Sequence, residues 1–341
     1  MAYNTLKTSS DTITLIKPMI SIPPHTIVDN IYLKFVVTLK NTTAAAVSVP
    51  ASDLLNAVTS IRITSDGNIN NLDTTGYGLA IMNAFRQTKS VSPLKRIGST
   101  SVGANTTVNK TFFLKINEGD IIGVLKKSLF LEVLFAEKVT ETATTNTFVT
   151  ISAASVTASL GEGIIEDRQV DLIQKYGESG EYTAEPKIYE MTVESIPANT
   201  ALVPVLSLQY GSLIRRAILM FYGTGATTPE VCPDNIGLIA TNPNRQELIN
   251  VDAATIRELQ DDEYFIDDAN RPAGVFLMDF ANTLAGDGMG LKGWRFGVDD
   301  FRIAVKTSTA CKMRVIFIEH VVNTGAYDKG YQPILETPLG F

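Results

Sequence analysis

The densest group of titratable side chains lies in "LQDDEYFIDD", residues 259–268, where Asp261, Asp262, Glu263, Asp267 and Asp268 crowd together. Calcium takes oxygen ligands of this kind, but the EF-hand spacing with its central glycine is missing. The run therefore reads as a solvated helix end and loop. Paired carboxylates also serve glycoside hydrolysis, yet no aromatic cluster accompanies these to hold a sugar. His25 and His320 stand far apart in the chain and form no local metal motif. A Ser-His-Asp site would have to assemble from distant parts, and nothing in the sequence points to one. The glycine-rich stretch "AGDGMGLKGWRFG" (285–297) lacks the Lys-Ser/Thr ending and following helix of a phosphate-binding loop. A strand-like run, "FGVDDFRIAV", comes next, so the stretch reads as a surface loop. Trp294, the only tryptophan, is read as a packing anchor at its base or at a subunit interface. Cys232 and Cys311 are too few for a disulfide framework or a cysteine-rich zinc site and read as buried free thiols. The expectation is no catalytic residue, no cofactor-binding residue, no metal ligand and no cofactor: not an enzyme.

The elements that would carry such residues point the same way. The 341-residue chain can hold about two domains with real cores. Hydrophobic residues make up 45% and charged residues 19%, a globular balance. A net charge of −7 argues against sequence-independent binding to nucleic acid, which needs many cations aimed at phosphate. "MAYNTLKTSS" lacks the apolar core of a signal peptide, and no apolar run approaches the ~18 residues of a membrane span. Synthesis in an aqueous, reducing compartment is expected. The sequons at Asn41, Asn105 and Asn109 read as chance in a Thr-rich chain.

Strand-like segments rich in Val, Ile, Thr and Phe dominate: 11–22, 31–39, 60–65, 111–116, 128–140 and 146–160, then 187–195, 200–208, 213–223, 235–240, 274–281, 300–308 and 312–322. In the segment 146–160 the apolar parity changes from Val149, Ile151 and Ala153 to Val156, Ala158 and Leu160. A bulge at Ala153–Ala154 would produce this. Residues 161–186 are charged and broken by Gly and Pro, which marks a connection, with a short helix around "DRQVDLIQKY". The tail "DKGYQPILETPLGF" reads as an extended arm. Parallel βαβ alternation is absent, which favours antiparallel sandwiches of jelly-roll size.

One stretch breaks the pattern. "NNLDTTGYGLAIMNAF" (70–85) reads as an amphipathic helix, with Asp73 as cap and Tyr77, Ala80, Ile81 and Ala84 on one face. It has a counterpart in "DAATIRELQDDEYF" (252–265). "IVDNIYLKF" (27–35) aligns without gaps on "LIRRAILMF" (213–221), and "FLEVLFAEK" (130–138) answers "FRIAVKTST" (301–309). These matches occur in the same order, so the chain reads as an internal duplication. Arg215 and Arg216 stand where the first half has Asp29 and Asn30, and would differ in charge at edges where rolls meet.

Two successive rolls, each with a helix in a connection, resemble the double jelly-roll major capsid proteins of tailless icosahedral viruses with an internal membrane, the lineage that includes the adenovirus hexon. "IVDNIYLKFVVTLKNTTAAAVSV", "SIRITSDGN" and "DTTGYGLAIMNAF" carry the likeness. The resemblance implies an all-β fold of two consecutive eight-stranded antiparallel jelly rolls, 1–165 and 187–341, with a linker at 166–186. It implies a homotrimer of pseudo-hexagonal outline in the virion, helices that brace neighbouring rolls or subunits, and loops such as 223–234 and 282–299 at the outer end. Partners would be further copies of the chain, minor capsid and penton proteins, and the inner lipid membrane or its proteins. No sequence-specific nucleic-acid contact is expected. The first thirty residues agree with this: they hold only Lys7 and Lys17 as cations beside Asp11 and Asp29, not a basic arm. The competing reading is a carbohydrate-binding or carbohydrate-active β-sandwich protein.

Overall fold

The computed structural model describes residues 3–22, 27–67, 69–85, 93–116, 121–122, 128–142, 147–164, 184–208, 213–240, 245–264, 272–280, 294–295 and 301–322. The strands preceding the linker are β1 (Tyr3–Thr14), β2 (Met19–Ser21), β3 (Ile27–Asn41), β4 (Val47–Val49), β5 (Val58–Ser65), β6 (Ile69–Thr74), β7 (Thr100–Val102), β8 (Thr107–Ile116), β9 (Ile121–Ile122), β10 (Leu129–Phe135), β11 (Lys138–Thr142) and β12 (Thr147–Ile164). Helices α1 (Ala51–Asn56), α2 (Gly76–Ala84) and α3 (Pro93–Ile97) interrupt them. Beyond the linker come β13 (Ala184–Ile196), β14 (Val203–Ser207), β15 (Leu213–Tyr222), β16 (Asn235–Ala240), β17 (Gln246–Asp252), helix α4 (Ala253–Tyr264), β18 (Val275–Asp279), β19 (Trp294–Arg295), β20 (Phe301–Lys306) and β21 (Cys311–Val322).

Two jelly rolls result, and their strand orders coincide. In the first, the sheet β1-β12-β3-β8 faces β2-β10-β5-β6; in the second, β13-β21-β15-β18 faces β14-β20-β16-β17. Replacing β1, β12, β3 and β8 by β13, β21, β15 and β18 maps one roll onto the other. So does replacing β2, β10, β5 and β6 by β14, β20, β16 and β17. A helix follows the fifth strand of the eight in both rolls. The irregularities repeat as well. The β3–β12 ladder skips Asp29, and the β15–β21 ladder skips Arg215, its partner in the ungapped alignment. Short β9 extends the pairing at Ile27–Val28, and short β19 does so at Leu213–Ile214. A bulge adds one residue and a local twist to a strand, so its recurrence at the same place marks a shared backbone design.

Local sequence explains the main turns and kinks. Asp66 and Gly67 both adopt positive φ, 50° and 81°, which is the mirror-image turn that joins β5 to β6. The parity change in β12 is a bulge at Ser152, between Ile151 opposite Leu39 and Ala153 opposite Thr38. The sequence placed it one residue later. Ala153 is therefore exposed, and Ala154, Val156, Ala158 and Leu160 face the core. Asn41 is no glycan acceptor: its buried amide donates to the carbonyl oxygens of Ala45 (2.8 Å), Val102 (3.2 Å) and Gly103 (3.1 Å), tying the end of β3 to the β4–β7 hairpin region. β1 begins at Tyr3, well before the expected 11, and β6 and β17 were not foreseen. β13 begins at Ala184, three residues before the expected start of the second roll at 187. The helix expected at 167–176 and the C-terminal arm lie outside the described residues.

The cores are unequal. The first, built around Phe35 stacked on Phe112 at 4.7 Å, does not stop at its own sandwich. It runs on to include Ile188, Ile218, Met220, Tyr222, Val275, Leu277, Ile316 and Ile318, all from strands of the second roll. Those residues occupy the back of the sheet whose front (Ala217, Leu219, Phe221, Met313, Val315, Phe317) forms the second core. The sheet β13-β21-β15-β18 is thus buried on both faces, which is why β18 is an unbroken apolar run instead of an alternating one.

Candidate functional site: the seam between the rolls

The two rolls join through a short parallel contact. Leu72 and Asp73 of β6 pair with Ile188 and Tyr189 of β13, making one sheet, β18-β15-β21-β13-β6-β5-β10-β2, continuous across the seam. Helix α2 is the wedge beside it. Every one of its residues is buried, so it is not the amphipathic helix that its spacing suggested. A helix enclosed on all sides has no need of a polar face. One side meets β8, an edge strand, whose free backbone groups at Lys115 are taken by Asn83: its Nδ2 donates to the Lys115 carbonyl (2.6 Å) and its Oδ1 accepts from the Lys115 N–H (2.9 Å). The other side meets the second roll so closely that a Cβ on Gly78 would lie 3.1 Å from Ile316 Cδ1 and against Glu190 Oε1.

The cap of α2 is Thr75, not Asp73. Thr75 Oγ1 accepts from the Gly78 N–H at 3.0 Å and itself donates to Glu190 Oε1 at 3.0 Å. The same carboxylate oxygen accepts from the Thr75 N–H at 2.7 Å and from Thr74 Oγ1, and Glu190 Oε2 lies 3.8 Å from Arg314 Nε. A side chain of the second roll thus satisfies the orphan donors at the start of a first-roll helix and puts negative charge at the positive end of its dipole. Asp73 instead pairs with Arg62, which also reaches Glu132, in a ladder on the solvent face. Around the seam, burial pushes the hydroxyls of Tyr77 and Tyr222 up, the latter to about 12 against the pull of Arg314. Tyr77 Oη has no hydrogen-bond partner among the described residues. Its ring lines a cavity of about 410 Å³ between Ala51, Leu94, Pro229 and Pro272. Deeper in the second roll, Glu319 is fully buried and accepts from Tyr189 Oη, with Lys187 Nζ 3.9 Å away. Burial, together with that bond, raises the Tyr189 hydroxyl as well.

Helix α4, the counterpart of α2, is built differently. Asp252 caps it from its own strand: Oδ1 accepts from the Thr255 N–H (2.9 Å) and Oδ2 from Thr255 Oγ1 (2.6 Å), bonds that hold its carboxyl below the usual range. Gln260 Nε2 fixes the helix to the Leu277 carbonyl at 2.7 Å, while Glu258 and Leu259 stay exposed.

The residues singled out for chemistry do not converge. His25, Asp267, Asp268 and all of 285–297 except Trp294–Arg295 lie outside the described residues, as do the side chains of Asp261, Asp262, Glu263 and His320. Trp294 pairs with Ile214 through the backbone of β19. Among the described residues no group of three or more potential metal ligands comes together. The thiols are free, but only Cys311 is buried; Cys232 is exposed in the loop 223–234. Arg216 is bound to the buried Asp279 at 3.0 Å inside the second roll, and β3 and β15 are interior strands, so the charge difference at Asp29 and Arg215–Arg216 does not sit at sheet edges. The seam residues Glu190, Thr74 and Thr75 went unnoticed. The one signal was that Glu190 shares the parity of Ile188, the face turned to the first core.

The fold defined by two equivalent rolls, a shared sheet and a helix at the same place in each roll is the double jelly roll of viral major capsid proteins. The chain is similar to the MCP of STIV (TM-score 0.76, 18% identity, 96% of this chain and 99% of that one). It is also similar to the major capsid protein P2 of bacteriophage PM2 (0.52, 9%, 94% and 98%) and to the Faustovirus major capsid protein (0.55, 9%, 94% and 90%). No family model matches the sequence, and no curated protein does.

Proposed function

We propose that the chain is a structural subunit of an icosahedral viral shell, forming homotrimers that tile as pseudo-hexamers. The rolls as units are 1–165 and 187–341, joined by 166–186. The reading goes on to a shell laid over an internal membrane, with minor capsid and penton proteins as partners, synthesis in the host cytoplasm and a place in the virion. It assigns no catalytic step and no sequence-specific contact with nucleic acid. The observation that carries it is the repeated roll with its repeated bulge: one chain offers two copies of the same strand order, so three chains offer six. The likeness in fold to capsid proteins supports it. The test is the mass of the purified chain by light scattering together with electron micrographs. Three times 37.0 kDa, or closed shells, is the expected result. A monomer at all concentrations, with no particles, overturns the proposal. Lipid extracted from intact particles tests the membrane part separately.

A further inference from the structure

The cavity of about 410 Å³ beside Tyr77 opens at the seam, and both rolls build it. The first roll supplies wall from α1, α2 and α3, and the second from residues 228–230 and 272–273. The bond from Asn56 Nδ2 to the Thr227 carbonyl (3.0 Å) holds the second roll's loop against α1, so the two sides are fixed before any ligand arrives. Leu94, Pro229, Pro272 and the ring of Tyr77 make the apolar surface. The two prolines are rigid and carry no N–H. Besides the Tyr77 hydroxyl, the polar side chains are the hydroxyls of Ser52 and Thr228 and the carboxylate of Glu230. Each of them accepts hydrogen bonds, and among the described lining residues none has a side-chain N–H or a positive charge. Arg257 donates to the Ala273 carbonyl but is not part of this lining. The Glu230 carboxylate is exposed, and no hydrogen bond or ion pair engages it among the described residues. It lies over Gly223, where a Cβ would stand 2.7 Å from its Oε1.

We infer that this cavity binds a small organic cation, a primary ammonium carried on a short apolar body. Its size is that of a small-molecule site. An ammonium has three N–H groups and accepts nothing, so it needs the acceptors that this wall offers. Glu230 supplies the opposite charge, Ser52 and Thr228 supply further oxygens, and the apolar body covers Leu94, Pro229 and Pro272. An anion would set a second negative charge beside Glu230 and meet no donor but hydroxyls. A neutral molecule of the same shape would gain the apolar contact alone. Because the walls come from both rolls, an occupant adds its binding free energy to the seam, and binding registers as a rise in the stability of the folded chain. The inference concerns the single chain and stands apart from the capsid reading.

The test uses the full chain, with 2-phenylethylammonium chloride as probe, 2-phenylethanol as its neutral counterpart and sodium chloride to match ionic strength. A probe of this size should bind with a Kd of about 1 mM. At ten times that concentration the folding equilibrium shifts about elevenfold, and the thermal midpoint should rise by roughly 3–6 °C. The alcohol should give about half that rise or less, since hydrogen bonds from a charged donor are about twice as strong. Glu230→Gln should weaken ammonium binding by about fivefold, the loss of an exposed ion pair, and erase the advantage over the alcohol. Ala273→Trp, which fills the cavity from its exposed rim, should abolish binding of both. Both side chains are exposed in the parent, so without probe the variants should melt at the parent's temperature. Should Ala273→Trp fail to fold, Ser52→Phe fills the cavity from the α1 side and is read in its place. A parent that gains nothing from the ammonium, an alcohol that stabilises it equally, or a rise that persists unchanged in the variants overturns the inference. None of these outcomes bears on the trimer.

Discussion

Removing the Glu190 carboxylate should uncouple the two rolls. Its Oε1 receives the Thr75 N–H and the hydroxyls of Thr74 and Thr75, and its Oε2 faces Arg314. A hydrogen bond to a charged group contributes about 1.5–3 kcal/mol, and a helix cap about 1 kcal/mol. These do not add, because the Thr hydroxyls can turn toward other acceptors and Arg314 keeps its position over the Tyr222 ring, 5.6 Å from the centroid. Breaking a largely buried charged pair from one side costs about 3–5 kcal/mol. Arg314 retains 24% exposure, which places Glu190→Ala near the lower end, about 3 kcal/mol. At about 2–4 °C per kcal/mol for units of this size, the midpoint should fall by roughly 6–12 °C. Calorimetry should also show the single transition broaden or split as the rolls melt apart. Glu190→Gln keeps the acceptor and should lose about half as much. Glu194→Ala, on the same strand but with its carboxylate 75% exposed beside Lys312, should change stability by no more than about 0.5 kcal/mol. If Glu190→Ala behaves like Glu194→Ala, the carboxylate is not what locks the seam.

Three further outcomes rest on neighbouring contacts. Gly78→Ala should destabilise by about 2–3 kcal/mol in denaturant titrations although alanine is the better helix former, because its Cβ would meet Glu190, Thr74 and Ile316; a gain in stability would refute the close approach. Cys232 should react with a thiol reagent in the native protein, slowly because burial of its sulfur pushes its pKa up, while Cys311 should react only on unfolding; equal rates would contradict this. Tyr222 is neutral and buried, and its folded pKa of about 12 exceeds the unfolded value of 10, so the unfolded chain loses the proton first. Its contribution, roughly 3 kcal/mol, is intact below pH 10 and disappears between 10 and 12. Tyrosinate absorbance at 295 nm that rises as a single step near pH 10, with no accompanying loss of stability, would show the ring to be hydrated.

How much the sequence showed depended on whether a segment meets one environment or two. Strands with one wet face, such as β3 and β8, were legible because alternation follows burial directly. The duplication was legible in β3 and β15 because their inward residues, Leu33 and Phe35 against Leu219 and Phe221, fill the same place in two cores. Helix α2 was found but misread. Its three-and-four spacing picked out one face, whereas the second roll covers the rest, a contact that no local window contains. β6 was absorbed into that helix, since its Asp73 looks like a capping residue when the partner Arg62 is unseen. Glu190 was invisible for the same reason: its partners lie in the other roll.

The two helix caps set a timetable for synthesis. Thr75 waits for a carboxylate 115 residues further along, so a nascent chain on the ribosome cannot finish its first half until the opening strand of the second has emerged. Asp252 sits beside the turn it caps, and α4 can form the moment it is made. A truncated product would therefore display a greasy α2 stripped of its second-roll cover to the cell's quality control, whereas α4 carries its cap with it from the start.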